Sequence, residues 1–148
     1  MAKEIERKFL VKSDAWRAYA TRSIAIEQGY LSRQVDCTVR VRTWGEMAYL
    51  TVKGKTQGAT RLEYEYEIPV DEAREMLREL AQGEPLRKTR FLVPADGGLM
   101  WEIDVFEGAH RGLVTAEIEL PDEAQPFVRP DWLGEDVTGD PRYFNSNL

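Results

Sequence analysis

The chain has 148 residues, 43% apolar and 31% charged, with a net charge of -6, which is the composition of one folded domain rather than of a disordered segment. An acidic balance argues against a nucleic-acid surface, since a phosphate backbone asks for a basic face. No apolar run is long enough to cross a bilayer, the opening MAKEIERK lacks the apolar stretch of a secretory signal, and Cys37 has no second cysteine to bridge to, so a cytoplasmic protein with no membrane partner is expected.

Period-two alternation dominates the chain and predicts eight strands, near residues 3–11, 24–32, 37–44, 48–54, 60–68, 86–94, 99–107 and 113–121. Glycine-bearing turns at 44–46, 54–58, 95–98 and 108–112 make several connections short, which favours antiparallel neighbours. Helices interrupt the strands. Ser13-Asp14 is expected to cap a short one through Tyr19, and Asp71 to cap another with Ala73, Met76, Leu77 and Leu80 on one side, ended by Gly83. A composition shift after Leu120 marks a Pro-rich, acidic tail, in which Asp140-Pro141 reads as the start of a last short turn. There is no internal repeat, and 1–148 is expected to be a single domain.

The strands share an unusual division of faces. In β-geometry successive side chains alternate, so Glu4, Glu6 and Lys8 oppose Ile5, Arg7, Phe9 and Val11. Arg40 and Arg42 oppose Val39 and Val41, and Thr51 and Lys53 oppose Leu50 and Val52. Glu63, Glu65 and Glu67 oppose Leu62, Tyr64, Tyr66 and Ile68, while Lys88 and Arg90 oppose Thr89, Phe91 and Val93. Glu102 and Asp104 oppose Trp101, Ile103 and Val105, and Glu117 and Glu119 oppose Ile118 and Leu120.

For one strand the plain reading is a solvated charged face. Seven strands that repeat this division, six of them with paired acids or paired bases at i and i+2, suggest instead that the charged faces meet one another, because solvation alone does not require such pairing. Eight antiparallel strands suffice to close a barrel around one small ligand, leaving the apolar faces outside to be covered by the helices, the tail or a second copy in a homodimer.

Such a lumen would hold Glu4, Glu6, Glu63, Glu65, Glu102, Asp104, Glu117 and Glu119 against Lys8, Arg40, Arg42, Lys53, Lys88 and Arg90, a net of 6 - 8 = -2. Ions removed from water are costly unless paired or bound to a ligand, which points to a site rather than to stability. The bases suit phosphate oxygens. The acids would repel them unless divalent cations intervene, and carboxylates without Cys or His select hard ions, Mg²⁺ or Mn²⁺. No G-x-x-x-x-G-K-[ST] loop is present.

The ordered set EIERKFLV, QGYLS, VRVR, YLTVKG, RLEYEYEIP, RKTRF, WEIDVFEG and GLVTAEIEL resembles the CYTH proteins, also called triphosphate tunnel metalloenzymes, and within them is most similar to the short bacterial inorganic triphosphatases. The resemblance implies an eight-stranded tunnel that binds a small-molecule triphosphate with one or two divalent metals and hydrolyses or cyclises it. On that basis Glu4, Glu6, Glu117 and Glu119 are expected on the metal side, with Glu63, Glu65, Glu102 and Asp104 as further tunnel acids. Lys8, Arg40, Arg42, Lys53 and Arg90 are expected to bind phosphate, and Lys88 is a candidate base among the same cations. Tyr30 shares the face of Gln28 and Ser32, and is either a group that positions water or a terminal phosphate or an aromatic with no chemical role.

Hydrolysis of inorganic triphosphate to pyrophosphate and phosphate is the expected activity. The alternatives are an adenylate cyclase or thiamine triphosphatase on the same tunnel, a polyphosphate-binding module without catalysis, and a barrel whose charged faces meet water. His110, alone in a turn, is expected to face solvent, and Cys37 to be a packing residue.

Overall fold

The computed structural model describes residues 3–148 and contains the eight expected strands. They are β1 (Lys3–Val11), β2 (Arg22–Gln34), β3 (Cys37–Trp44), β4 (Met47–Gly54), β5 (Thr60–Glu67), β6 (Leu86–Pro94), β7 (Met100–Phe106) and β8 (Val114–Glu119). All pairings are antiparallel, in the order β5-β4-β3-β2-β6-β7-β8-β1, and β1 closes the ring on β5 through Lys3↔Leu62, Glu4↔Arg61 and Ile5↔Thr60. The result is a closed, mostly β barrel with one α-helix.

A ninth strand, β9 (Leu133–Asp136), was not foreseen. It continues the β5 side of β1 beyond the three closing pairs, with Phe9↔Asp136 and Val11↔Leu133 in register. Four residues carry too little alternation to be recognised as a strand. Gly134 permits the contact, since a Cβ there would lie 2.9 Å from the Leu10 carbonyl oxygen.

Two apolar clusters lie outside the barrel. Phe9, Trp101, Ile103, Ala116 and Ile118 on β1, β7 and β8 are covered by Trp16 and by the tail residues Phe127, Trp132 and Leu133. The indoles of Trp101 and Trp132 meet edge to face with centroids 5.5 Å apart. On the other flank, α1 (Val70–Glu79) lays Ala73 and Leu77 on Val41 and Ala48. Close approach of the helix needs Gly29 on β2, where a Cβ would meet Leu77 and Ala81 at 2.9 Å. Each fully buried large apolar side chain contributes roughly 1.5–3 kcal/mol, so these outer layers hold the fold together.

Four local expectations are corrected. The α1 N-cap is Pro69, with no side-chain cap, because its extended, proline-locked backbone already directs the chain into the helix; Asp71 falls in the first turn, where its charge suits the helix dipole. Leu80 is the C-cap and is 62% exposed, so it leaves the apolar stripe of Ala73, Met76 and Leu77. Cys37 is exposed rather than packed, since it begins β3 just after the hairpin turn. The Ser13-Asp14 segment leads into a short 3₁₀ turn, Ala15–Tyr19, that buries Trp16, without a side-chain cap from Asp14. Asp140 does cap Pro141–Tyr143, its carboxylate accepting from the Arg142 backbone N–H at 3.0 Å.

Candidate functional site: a charged lumen

Strand parity turns the charged faces inward. A cavity of about 280 Å³ inside the barrel is lined by Glu4, Glu6, Lys8, Tyr30, Arg40, Arg42, Lys53, Glu63, Glu65, Arg90, Glu102, Glu117 and Glu119. Two expected residues, Lys88 and Asp104, lie behind that lining, at 1% and 0% exposure. His110 ends the 3₁₀ turn Gly108–His110 and is not among the lining groups.

Cations concentrate on β3 and β6. Arg42 donates from Nε to Gln28 Oε1 at 3.0 Å, and Arg40 donates to Thr51 Oγ1 at 3.3 Å, which in turn donates to Glu65 at 3.1 Å. Arg90 grips Asp104 with two bonds, 2.8 and 2.9 Å, and reaches Glu102 at 3.3 Å. Behind it the Lys88 ammonium sits 2.7 Å from Asp104 Oδ2. The register also sets Ile26 and Phe106 beside Lys88, so this pocket of charge has apolar neighbours.

Burial pushes Lys88 down to about 7, with Asp104 opposing and Arg90 and Arg42 assisting. Burial also lowers Arg42, to about 9, helped by Arg40 and Arg90. Asp104 is held at about 2: burial would raise it, but Arg90 and Lys88 together win.

Acids dominate the opposite wall, on β1, β5 and β8. Lys53 bridges Glu4 at 2.8 Å and Glu63 at 3.1 Å. Glu63 is raised to about 7 by burial and by its hydrogen bond to Glu4, whereas Glu4, despite burial, is held well below the ordinary carboxylate range by Lys53. Glu6 and Glu117 divide in the same way. Burial, then Glu117 and Glu4, push Glu6 well up, while Lys8 and Arg90 overcome burial and keep Glu117 low. In each pair burial and the neighbouring carboxylate raise one acid, while nearby cations hold the other low.

Carboxylates clustered on one wall of the cavity mark a place that a cation can take. Among the described residues no three Asp, Glu, His or Cys side chains are arranged as an all-protein metal cage. Mg²⁺-type ions are held by one or two carboxylates with the substrate's phosphates and water, so the all-oxygen donor set here fits such an ion. Two residues that line the same space carry buried polar atoms without partners, Glu117 Oε1 on the acid wall and Arg40 Nε on the basic one. An unsatisfied buried group costs about 1–3 kcal/mol, which a ligand carrying both phosphate oxygens and metal would relieve.

Sequence reading missed Arg61, Trp44 and Thr38, which also line the cavity. Parity could have found them, since Arg61 shares the face of Glu63, and Trp44 and Thr38 that of Arg40 and Arg42. Thr138, Gly139, Phe144, Asn145 and Ser146 line it too, from a tail with no periodicity to read.

The CYTH domain pattern matches residues 2–144. The chain belongs to the CYTH family. Its relatives within the family include the inorganic triphosphatase of Acetivibrio thermocellus, 51% identical over 148 residues covering 100% of this chain and 94% of that one. The inorganic triphosphatase of Nitrosomonas europaea is 38% identical, covering 98% and 95%. A crystal structure of an inorganic triphosphatase superposes on this CYTH protein with a TM-score of 0.68 at 36% identity, covering 100% of this chain and 95% of that one. A Hippeastrum protein studied as an adenylyl cyclase, with a dominant triphosphatase activity, has the same fold at TM-score 0.61 and 17% identity, covering 80% of each chain. Family membership implies a divalent metal ion.

Proposed function

We propose that this CYTH protein hydrolyses inorganic triphosphate to pyrophosphate and phosphate in its lumen, with Mg²⁺ or Mn²⁺. One observation carries the reading: buried cations and a wall of carboxylates line the same cavity, an arrangement suited to a polyanion and a hard cation together. The names of the relatives at 51% and 38% identity point the same way.

Lys8, Arg40, Arg42, Lys53 and Arg90 hold the phosphates and stabilise charge as it develops on them. Glu4, Glu6, Glu117 and Glu119 hold the metal side, with Glu63, Glu65, Glu102 and Asp104 balancing the cations. When bound, the divalent ion neutralises charge between carboxylate and phosphate oxygens. Tyr30 lines the cavity, where its phenol positions water or a terminal phosphate. Lys88, lowered to about 7 by burial, is the candidate base, but it lies behind the cavity lining against Asp104, so acting as one requires its amine to leave that contact and reach the cavity.

Among the described residues no helix is long and apolar enough to cross a membrane, and we place the protein in the cytoplasm. Leu62, Tyr64 and Tyr66 stay exposed on the outside of β5, the surface a homodimer would use. The deciding experiment measures phosphate release from inorganic triphosphate, ATP and thiamine triphosphate side by side, with and without Mg²⁺ and Mn²⁺, and cyclic AMP formation from ATP. Faster turnover of ATP or thiamine triphosphate, or tight triphosphate binding without turnover under any condition, overturns the proposal.

A further inference from the structure

β1 and β2 stand opposite each other across the lumen, with three strands between them in either direction around the ring. The C-terminal segment is bonded to both. Lys8 on β1 donates to the Tyr143 carbonyl at 2.5 Å, and Arg33 on β2 donates to the Ser146 carbonyl at 2.8 Å. A segment held at both points has to cross the barrel, and it does so at the end where the β2–β3 turn and the β4–β5 loop lie. Phe144, Asn145 and Ser146 line the cavity from that side. The other end, where β5 and β8 finish, exposes Glu65 and Glu119.

The lumen is thus walled at one end and open, among acids, at the other. Asn145 Oδ1 is buried in this wall with no hydrogen-bond partner. An amide oxygen and amide nitrogen exchange places by rotation about one bond, so the same side chain can present N–H donors to an anion that reaches it.

We propose that residues 140–148 are the specificity element of the site: they form an end wall that limits the phosphate chain to three units, with Asn145 as a donor to its innermost phosphate. This rests on the triphosphatase reading and deepens it. A bare triphosphate has two equivalent ends and fits the blind lumen in either direction. A longer chain, or a triphosphate carrying an ester group, has to send the excess out through the acidic mouth, where charge repels extra phosphate and the carboxylates are committed to the metal.

The test compares the full chain, a chain ending at Gly139, and Asn145→Ala on inorganic triphosphate, linear inorganic tetraphosphate and ATP with Mg²⁺. Turnover is followed by phosphate release and binding by titration calorimetry. Removing the wall is expected to raise kcat/KM for tetraphosphate relative to triphosphate about tenfold. Asn145→Ala is expected to raise KM for triphosphate about fivefold, with a smaller change in kcat, and to narrow the gap between triphosphate and tetraphosphate. Equal losses on all three substrates in a folded truncation overturn the inference. If the truncated chain does not fold by circular dichroism, Phe144→Ala combined with Asn145→Ala decides, and an unchanged substrate ratio overturns it. A full chain that hydrolyses none of the three refutes the triphosphatase reading separately, and the calorimetric preference for triphosphate over tetraphosphate, retained or lost without the wall, then decides the role of the tail.

Discussion

The lumen and the outer shell of this barrel reverse the usual arrangement of a small protein. Outside the strands, Phe9, Trp16, Trp101 and Ile118 are buried under the tail and a 3₁₀ turn, forming the layer that supplies apolar burial. Inside, Arg40, Arg42, Arg90, Glu117 and Asp104 are buried as ions or hydrogen-bonded groups, several with unsatisfied atoms. Stability and chemistry are therefore held in separate layers of the same strands. One face of each strand can be damaged while the other keeps its role.

Trp101→Ala should damage the shell most. The side chain is 1% exposed and meets Phe9, Phe127 and Trp132 edge to face, so its loss is expected to cost about 3–5 kcal/mol in thermal or denaturant unfolding. Activity per folded molecule, measured well below the melting temperature, should stay close to that of the parent. A triphosphatase activity lost in proportion to a lumen variant would merge the two layers and remove the distinction.

Arg42→Met tests the inside. Arg42 bonds Gln28 rather than a carboxylate, and burial with Arg40 and Arg90 already disfavours its charge. Replacing it should leave the melting temperature unchanged or higher, while kcat/KM for triphosphate falls by about 10²–10³. Arg90→Met is the contrast, since it strands Asp104 without its two hydrogen bonds and should lower stability as well.

Tyr30→Phe removes one hydroxyl from the cavity wall. If the phenol positions a phosphate or water, kcat should fall about 2- to 10-fold with the melting temperature unmoved, the worth of one hydrogen bond. Unchanged kinetics would reduce Tyr30 to a wall aromatic.

The last test concerns pH. Glu63 is raised to about 7 from 4.5, so in metal-free protein its contribution to stability is full below pH 4.5 and is lost as pH rises through 7. Lys88 is lowered to about 7 from 10.5, so the unfolded chain binds the extra proton between these values and stability rises with pH across that interval. The two opposing slopes predict a stability minimum near pH 7 in the presence of chelator. Glu63→Gln should flatten the acidic limb and Lys88→Met the basic one. Melting temperatures from pH 5 to 9 provide the check, and a maximum near pH 7 in the parent would contradict both assignments.

Much of this architecture was legible because a strand's side chains alternate between its two faces, a rule broken in β2 only by the register shift between Tyr30 and Ser32. The register that pairs Tyr30 with Arg40 and Arg90 with Asp104 leaves their side chains no choice of face once one of them is inside. Periodicity does not encode depth. Lys88 and Arg90 have the same parity, yet Arg90 reaches the cavity while Lys88 is sealed against Asp104 and Phe106. Nor does it reach β9 or the tail, whose positions depend on contacts with strands more than a hundred residues away, such as that of Thr138 with Lys8.

Local pattern determined the eight strands and the two chemical faces, because alternation at period two is a property of neighbouring residues. Which face became the interior was decided by closure of β5 on β1 and by the aromatic clusters that cover the outside. Closure and coverage, together with the wall across one end, arise between residues far apart in the chain, and only the assembled barrel brings them within contact distance.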